Sequence, residues 1–272
     1  MLRPRGLGAY FALTFACAWI LWGLAHPEIQ QQLGARLDAG LLVLAGTAVP
    51  SIVALGLSMR RSLGGELLAG LVRWRVSVGW YLLAVCGPPV LMVVATAIHV
   101  ALGGRWPDYP EAERWPLFAI NFLAVLIVGG PLGEELGWRG YALPRARAQF
   151  GLASAGAVLG LAWAAWHMPL FLMTGTPQAE LPFIWFALQA VALSLVLAVV
   201  WHGTAGSLLL PVLLHTSVNA FAGPLRILPE EAGSAQPYII TVVLTWASAL
   251  ILLWASLIVP ARPAPAAGKG TE

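Results

Sequence analysis

Long apolar stretches recur along this chain, each closed by glycine, proline, arginine or an acidic residue. A helix rises about 1.5 Å per residue, so roughly 20 apolar residues cross the hydrocarbon core of a bilayer. By that measure the sequence predicts eight spans, at residues 7–25, 39–58, 78–102, 116–132, 152–173, 182–201, 206–222 and 237–259. The fourth and seventh are short for a full crossing, which suits helices that end at an internal cavity. Pro50, Pro88, Pro89, Pro131, Pro169 and Pro211 interrupt the spans. Such breaks are tolerated in lipid where the freed backbone groups face protein or a wet cavity. The expected fold class is all-α, a polytopic membrane protein with about eight transmembrane helices.

Composition sharpens that expectation. The 272 residues are 59% hydrophobic and 10% charged, with a mean hydropathy of +0.80, which excludes an ordinary soluble globular domain. The net charge is +3, and no block of Lys or Arg is dense enough for a nucleic-acid surface, so no nucleic-acid partner is expected. Tryptophans flank several apolar segments, at Trp80, Trp106, Trp115 and Trp201, as interface anchors do. With the N-terminus inside, one side of the membrane holds Arg3, Arg5, Arg60, Arg61, Arg73, Arg75, Arg145, Arg147, Arg262 and Lys269. The other holds Arg36, Arg105, Arg114 and Arg226, ten against four, with Arg139 set aside as intramembrane. The bias predicts a multi-pass protein of the cell membrane with both termini cytoplasmic. The first apolar run reads as a retained helix rather than a signal peptide. Residues 261–272, rich in Pro, Ala and Gly, read as a disordered tail. Cys17 and Cys86 read as small buried hydrophobes rather than a disulfide or metal pair.

One feature breaks the apolar pattern sharply. Residues 117–133 hold no ionisable group, and then Glu134 and Glu135 stand side by side. An acid at membrane depth costs about 2.5–3.5 kcal/mol on insertion scales, so two adjacent ones must be paired, solvated or used. Glu135 and Arg139 are four apart and share a helix face, whereas Glu134 is rotated by about 100°. Gly129, Gly130 and Pro131 just before them loosen the helix. Two further clusters lie in apolar segments: Trp163 to His167, followed by Pro169, and His215 with Asn219 four residues on. Asn121 stands alone before the acids. Taken singly, a buried His or Asn is an interhelical tie, and Glu135–Arg139 a structural ion pair. Together, a carboxylate and imidazoles can activate water, with or without a metal, and imidazole and carboxamide N–H groups can steady an oxyanion. These are the parts needed for peptide-bond hydrolysis.

The Glu-Glu-x-x-x-Arg of 134–139, the aromatic-x-x-x-His of 163–167 and the His-x-x-x-Asn of 215–219 resemble the three motifs of the CPBP family. That family comprises the type II CAAX prenyl endopeptidases and their bacteriocin-processing and immunity-type relatives. The run from Gly206 to His215 also resembles the family's lead-in to its last motif. The resemblance covers residues 115–222, and it divides the chain into N-terminal transmembrane helices (1–114), a catalytic core (115–222), a last transmembrane helix (223–260) and the tail (261–272). It implies an intramembrane endopeptidase acting on membrane-associated peptides or proteins. Residue by residue, it makes Glu134 the acid that activates water, assisted by His167. His215 and Asn219 become the oxyanion-stabilising side, and Glu135 and Arg139 the pair that supports Glu134. Trp163 stands where the commonest pattern has phenylalanine, a change read as immaterial at an aromatic packing position.

The resemblance leaves the metal question open. Glu134, His167 and His215 could supply an oxygen and two nitrogens to a zinc ion, with water as fourth ligand. There is no His-Glu-x-x-His helix, and if Glu134 bound a metal another base would be needed. The reading favoured here has no obligatory cofactor, with zinc possible. Two other classes remain: a proteolytically inactive scaffold or immunity-type relative, and a proton-coupled transporter, since Glu and His also build proton relays. The absence of inverted repeats and the grouping of the motifs in one half of the chain weigh against the transporter. Oligomeric state and substrate are not legible.

Overall fold

A computed structural model describes residues 6–34, 37–59, 64–109 and 116–258. Trp115, the tail at 261–272, and Arg3, Arg5, Arg36, Arg60, Arg61, Arg114, Arg262 and Lys269 of the charge tally lie outside the described residues. The rest is helical, with no strand among the described residues. The helices are α1 (Leu7–Ala25), α2 (Pro27–Leu33), α3 (Ala39–Met59), α4 (Gly64–Ala69), α5 (Val78–Ala101), α6 (Pro116–Val128), α7 (Pro131–Glu135), α8 (Leu143–Phe150), α9 (Leu152–Trp166), α10 (Phe183–Gly203), α11 (Leu209–Ala222), α12 (Pro229–Ala232) and α13 (Gln236–Ile258). A π-helical turn, Leu136–Ala142, joins α7 to α8, and a 3₁₀ turn, Met168–Leu172, extends α9.

Among the described residues seven apolar helical stretches are long enough to cross a membrane, and α11 is a shorter apolar helix of 14 residues. That is the polytopic all-α architecture of about eight helices expected from the hydropathy pattern. The two short predicted spans are indeed short: α6 has 13 residues and α11 has 14. The short helices α2, α4 and α12 lie between the spans and were not anticipated.

The interior is organised around α10. Every residue from Ala190 to Val200 is buried, so this helix is enclosed on all sides by α9, α11 and α13. Small residues bring α9 against it: a Cβ at Gly156 or Gly160 would meet Leu195 or the backbone of Val191. Ser194 donates to the Gly156 carbonyl at 2.8 Å across the same seam. Close approach through small residues and interhelical hydrogen bonds is how helices associate when lipid is as apolar as their side chains.

The outer surface is apolar. Leu13, Ile20, Leu41, Ile52, Val90, Leu123, Ile251 and Trp254 are exposed on the spans, as lipid-facing side chains are. Cys17 and Cys86 belong to this surface; both are free and exposed. The expectation that they are buried is thereby corrected. Periodicity cannot tell lipid-facing from core positions in a helix that is apolar all round.

Helix α6 has no buried residue and lies against α11 and α7. Asn121 donates to the Ala220 carbonyl at 2.7 Å, a tie from α6 to α11. Ser217 on α11 donates in turn to Val85 of α5 at 2.7 Å. The run leading to His215 begins with Gly206 at φ 85°, a conformation that favours glycine. Leu208 N–H donates to Gly70 O at 2.8 Å and Ser207 to Arg73 O at 2.8 Å, while Arg73 donates to Ala205 O. These bonds clamp the start of α11 onto the turn after α4.

Candidate active site

The segment that carries the two acids is a broken helix. α6 stops at Val128, Gly130 adopts φ 101°, and Pro131 restarts the chain at the first turn of α7, where a missing N–H costs nothing. Glu134 and Glu135 follow at once, 3% and 0% exposed. The π-turn begins at Leu136. Such turns widen a helix locally and recur at functional sites. Glycines let this segment press against α3: a Cβ at Gly133 would come within 2.9 Å of the Ala48 Cα, and one at Gly137 would strike Pro50 and Tyr10. Ser51 of α3 donates to the Leu132 carbonyl at 3.1 Å. The acids are thus carried on a stretch wedged into the protein, with Arg139 buried beside them.

Glu135 takes two bonds on one oxygen. Its Oε1 accepts from Arg139 Nη1 at 2.9 Å and from His215 Nδ1 at 2.9 Å. The first is the one-turn pair that the spacing predicted. The second crosses to α11. His215 Nε2 lies 3.3 Å from Asn219 Nδ2, one turn further along α11. With Nδ1 donating to the carboxylate, Nε2 of a neutral ring accepts from the carboxamide.

Glu134 is held differently. Its Oε2 accepts from the indole N–H of Trp163 at 2.6 Å, and its Oε1 lies beside Gly130, where a Cβ would approach to 2.8 Å. Trp163 also accepts at its carbonyl from His167 Nδ1, at 2.8 Å. That carbonyl also takes the His167 backbone N–H at 3.3 Å, so both main chain and ring of His167 bond to it at the end of α9. A carbonyl can only accept, so His167 carries its proton on Nδ1 and presents a bare Nε2. The Trp163 ring further packs edge-on against His215, centroids 5.0 Å apart, and Arg139 Cζ sits 4.7 Å from its centroid.

The structure therefore gathers Glu134, Glu135, Arg139, His167 and His215 into one buried cluster built from α7, the π-turn, α9 and α11, with Asn219 exposed at its edge. Asn121 stands elsewhere in its tie to Ala220. Two relationships were not anticipated. Glu135 bonds to His215 across the cluster, so its contact is with the last motif rather than with Glu134. Trp163 is no mere packing residue; it donates to Glu134, which phenylalanine cannot do. The sequence carried the signal in that one substitution of Trp in the aromatic position, and an indole N–H that is buried needs an acceptor.

As arranged, Glu134, His167 and His215 do not form a tetrahedral zinc ligand set. Both nitrogens of His215 are engaged, by Glu135 and Asn219. Among the described residues no three His, Cys, Asp or Glu side chains converge as metal ligands do.

Residues 115–221 match the family model of the type II CAAX prenyl endopeptidase Rce1-like proteins. The chain is also 23% identical over 224 residues to CAAX prenyl protease 2 of Methanococcus maripaludis, a match covering 77% of this chain and 81% of that protein. Over that stretch the chain resembles the CPBP proteases. The matched stretch contains all three motifs and every polar side chain of the buried cluster. The match supports CAAX-type intramembrane protease activity in general, and the long apolar helices suit a multi-pass membrane protein.

Proposed function

We propose that the chain is an intramembrane endopeptidase that cleaves membrane-associated peptides or proteins with water activated by Glu134. The observation that supports this best is the linkage through Trp163. One residue orients the Glu134 carboxylate by its indole N–H and the His167 imidazole by its carbonyl. Glu134 Oε1 and His167 Nε2 are then the two basic atoms left to take a proton from water. As the water attacks the scissile carbonyl, Glu134 accepts its proton, and the C–N bond breaks as that proton passes to the departing amine.

His215 and Asn219 form the oxyanion side of this proposal. The carboxamide has a second N–H beyond the one directed at His215. An imidazolium at His215 would keep its Nδ1–H on Glu135 and turn an Nε2–H outward. Glu135 and Arg139 act as the fixed ionic base of that side. No metal is required by this scheme, and the engagement of both His215 nitrogens favours it. The bias of loop arginines supports a site opening toward the cytoplasm, in a cell-membrane protein with both ends cytoplasmic.

The test is Glu134→Gln in the full-length protein, which keeps size and hydrogen bonding but removes the base. Membranes of wild type and variant are compared for peptide termini that vanish in the variant. Loss of defined termini with unchanged protein abundance is the expected result. Identical terminus profiles would sink the proposal and leave the inactive-scaffold reading standing.

A further inference from the structure

The geometry points to Trp163 as a positioning residue for Glu134: its indole N–H selects which carboxylate oxygen is left to act on water. This inference rests on Glu134 being the base. Indole is a donor only, so the 2.6 Å contact runs from Trp163 Nε1 to the carboxylate and not the reverse. That is a short distance for an N–H···O contact, and a carboxylate acceptor makes such bonds stronger and shorter than neutral ones. Donor and acceptor are both buried, with Trp163 5% and Glu134 3% exposed, so water competes poorly for either atom.

The bond has a directional consequence. Oε2 is committed to the indole, and Oε1 is left on the Gly130 side, in space that only a glycine keeps open. A carboxylate free to rotate about its last torsion offers either oxygen, because that torsion is broad and two-fold. The indole removes the choice. The same residue sets His167 with Nε2 bare, through its main-chain carbonyl. That second function belongs to the backbone and survives any side-chain change at 163. The two roles can therefore be separated experimentally.

The ring itself is held from other directions. Arg139 stacks over it at 4.7 Å, Glu135 anchors that arginine, and His215 meets its edge. The indole therefore sits in a fixed pose, with its N–H directed at one acid of the doublet while the other acid fixes the guanidinium above it. A phenylalanine would fill most of the same volume and keep the stacking, but would leave Glu134 Oε2 without its donor.

Two full-length variants isolate the donor: Trp163→Phe, and replacement of Trp163 by benzothienylalanine, which keeps the bicyclic shape with sulfur in place of N–H. A quenched, farnesylated CAAX peptide is the kinetic probe, and indole ¹⁵N-labelled protein in micelles gives a readout that needs no turnover. Both variants are expected to lower kcat by roughly ten- to a hundredfold with KM little changed, as loss of a charge-assisted hydrogen bond to the base demands. One indole N–H resonance, absent in Trp163→Phe, is expected well downfield and displaced in Glu134→Gln. Wild-type kcat in the benzothienyl variant, or an assigned Trp163 resonance indifferent to Glu134→Gln, would overturn the inference. Cleavage that survives Glu134→Gln would instead overturn the base assignment. If the peptide is not cleaved by wild type, the resonance alone decides.

Discussion

His215 donates from Nδ1 to Glu135 Oε1 at 2.9 Å, joining the last motif of the chain to the first across two helices. The same oxygen takes a bond from Arg139. A single carboxylate atom thus ties together an arginine one turn away in sequence and a histidine 80 residues away. The pair of acids is divided by partner: Glu135 holds the α11 side, and Glu134 is held by α9.

Removing Glu135 is therefore expected to damage stability before anything else. Glu135→Ala strands a fully buried guanidinium and an imidazole without their acceptor. Breaking a buried pair by deleting one member costs about 3–5 kcal/mol. Thermal unfolding of the purified protein in detergent reads this out. Glu135→Gln, which still accepts a bond, is expected to lose less. A double-mutant cycle of Glu135→Gln with His215→Ala should give a coupling above roughly 0.5 kcal/mol. Additive losses would mean that the contact contributes nothing.

Asn219 permits a cleaner test of catalysis. Its side chain is exposed at the edge of the cluster, and its contact with His215 is long at 3.3 Å. Asn219→Ala is expected to shift stability by no more than about 1 kcal/mol. If its carboxamide serves the oxyanion, kcat should drop by about 10²–10³-fold. A melting point that falls while kcat holds would restrict Asn219 to a structural tie.

The close approach of the acid-bearing segment to α3 predicts intolerance at two glycines. Gly133→Ala and Gly137→Ala drive a methyl into the α3 backbone. Overpacking of this kind costs about 1–3 kcal/mol. Gly8→Ala is the control, since nothing lies within 4 Å of a Cβ there. In a melting series the control should match or exceed wild type. Equal melting points for all three would show that the segment is not wedged.

Metal dependence is checked by stripping the protein with a chelator and assaying before and after zinc is returned. Full activity in the stripped protein is expected, because the proposed scheme routes no step through a metal. Activity lost on stripping and regained with zinc would require His215 or Glu134 to leave the bonds described here.

Much of the architecture was legible in the chain because lipid leaves a helix few options. Every backbone group must be bonded within the segment, so runs of apolar residues become helices, and their number and approximate ends follow from length. The break at Gly129, Gly130 and Pro131 was visible for the same local reason. The i, i+4 spacing put Glu135 beside Arg139 and His215 beside Asn219 before any tertiary contact was considered. What could not be read was direction around each helix. The spans are apolar on all sides, so Cys17 and Cys86 gave no sign that they face outward.

The sequence by itself determined the helical membrane architecture, the three polar clusters and the one-turn pairs within them, because these depend on composition and spacing along a single helix. Only the tertiary structure decided which cluster meets which. The rotation of α9 aims the Trp163 indole at Glu134, and the seating of α11 aims His215 at Glu135. Those angles are set by small residues such as Gly133, Gly137, Gly156 and Gly160 pressed against neighbouring backbones. Packing between helices is a property of many contacts at once, and no pattern along one helix encodes it.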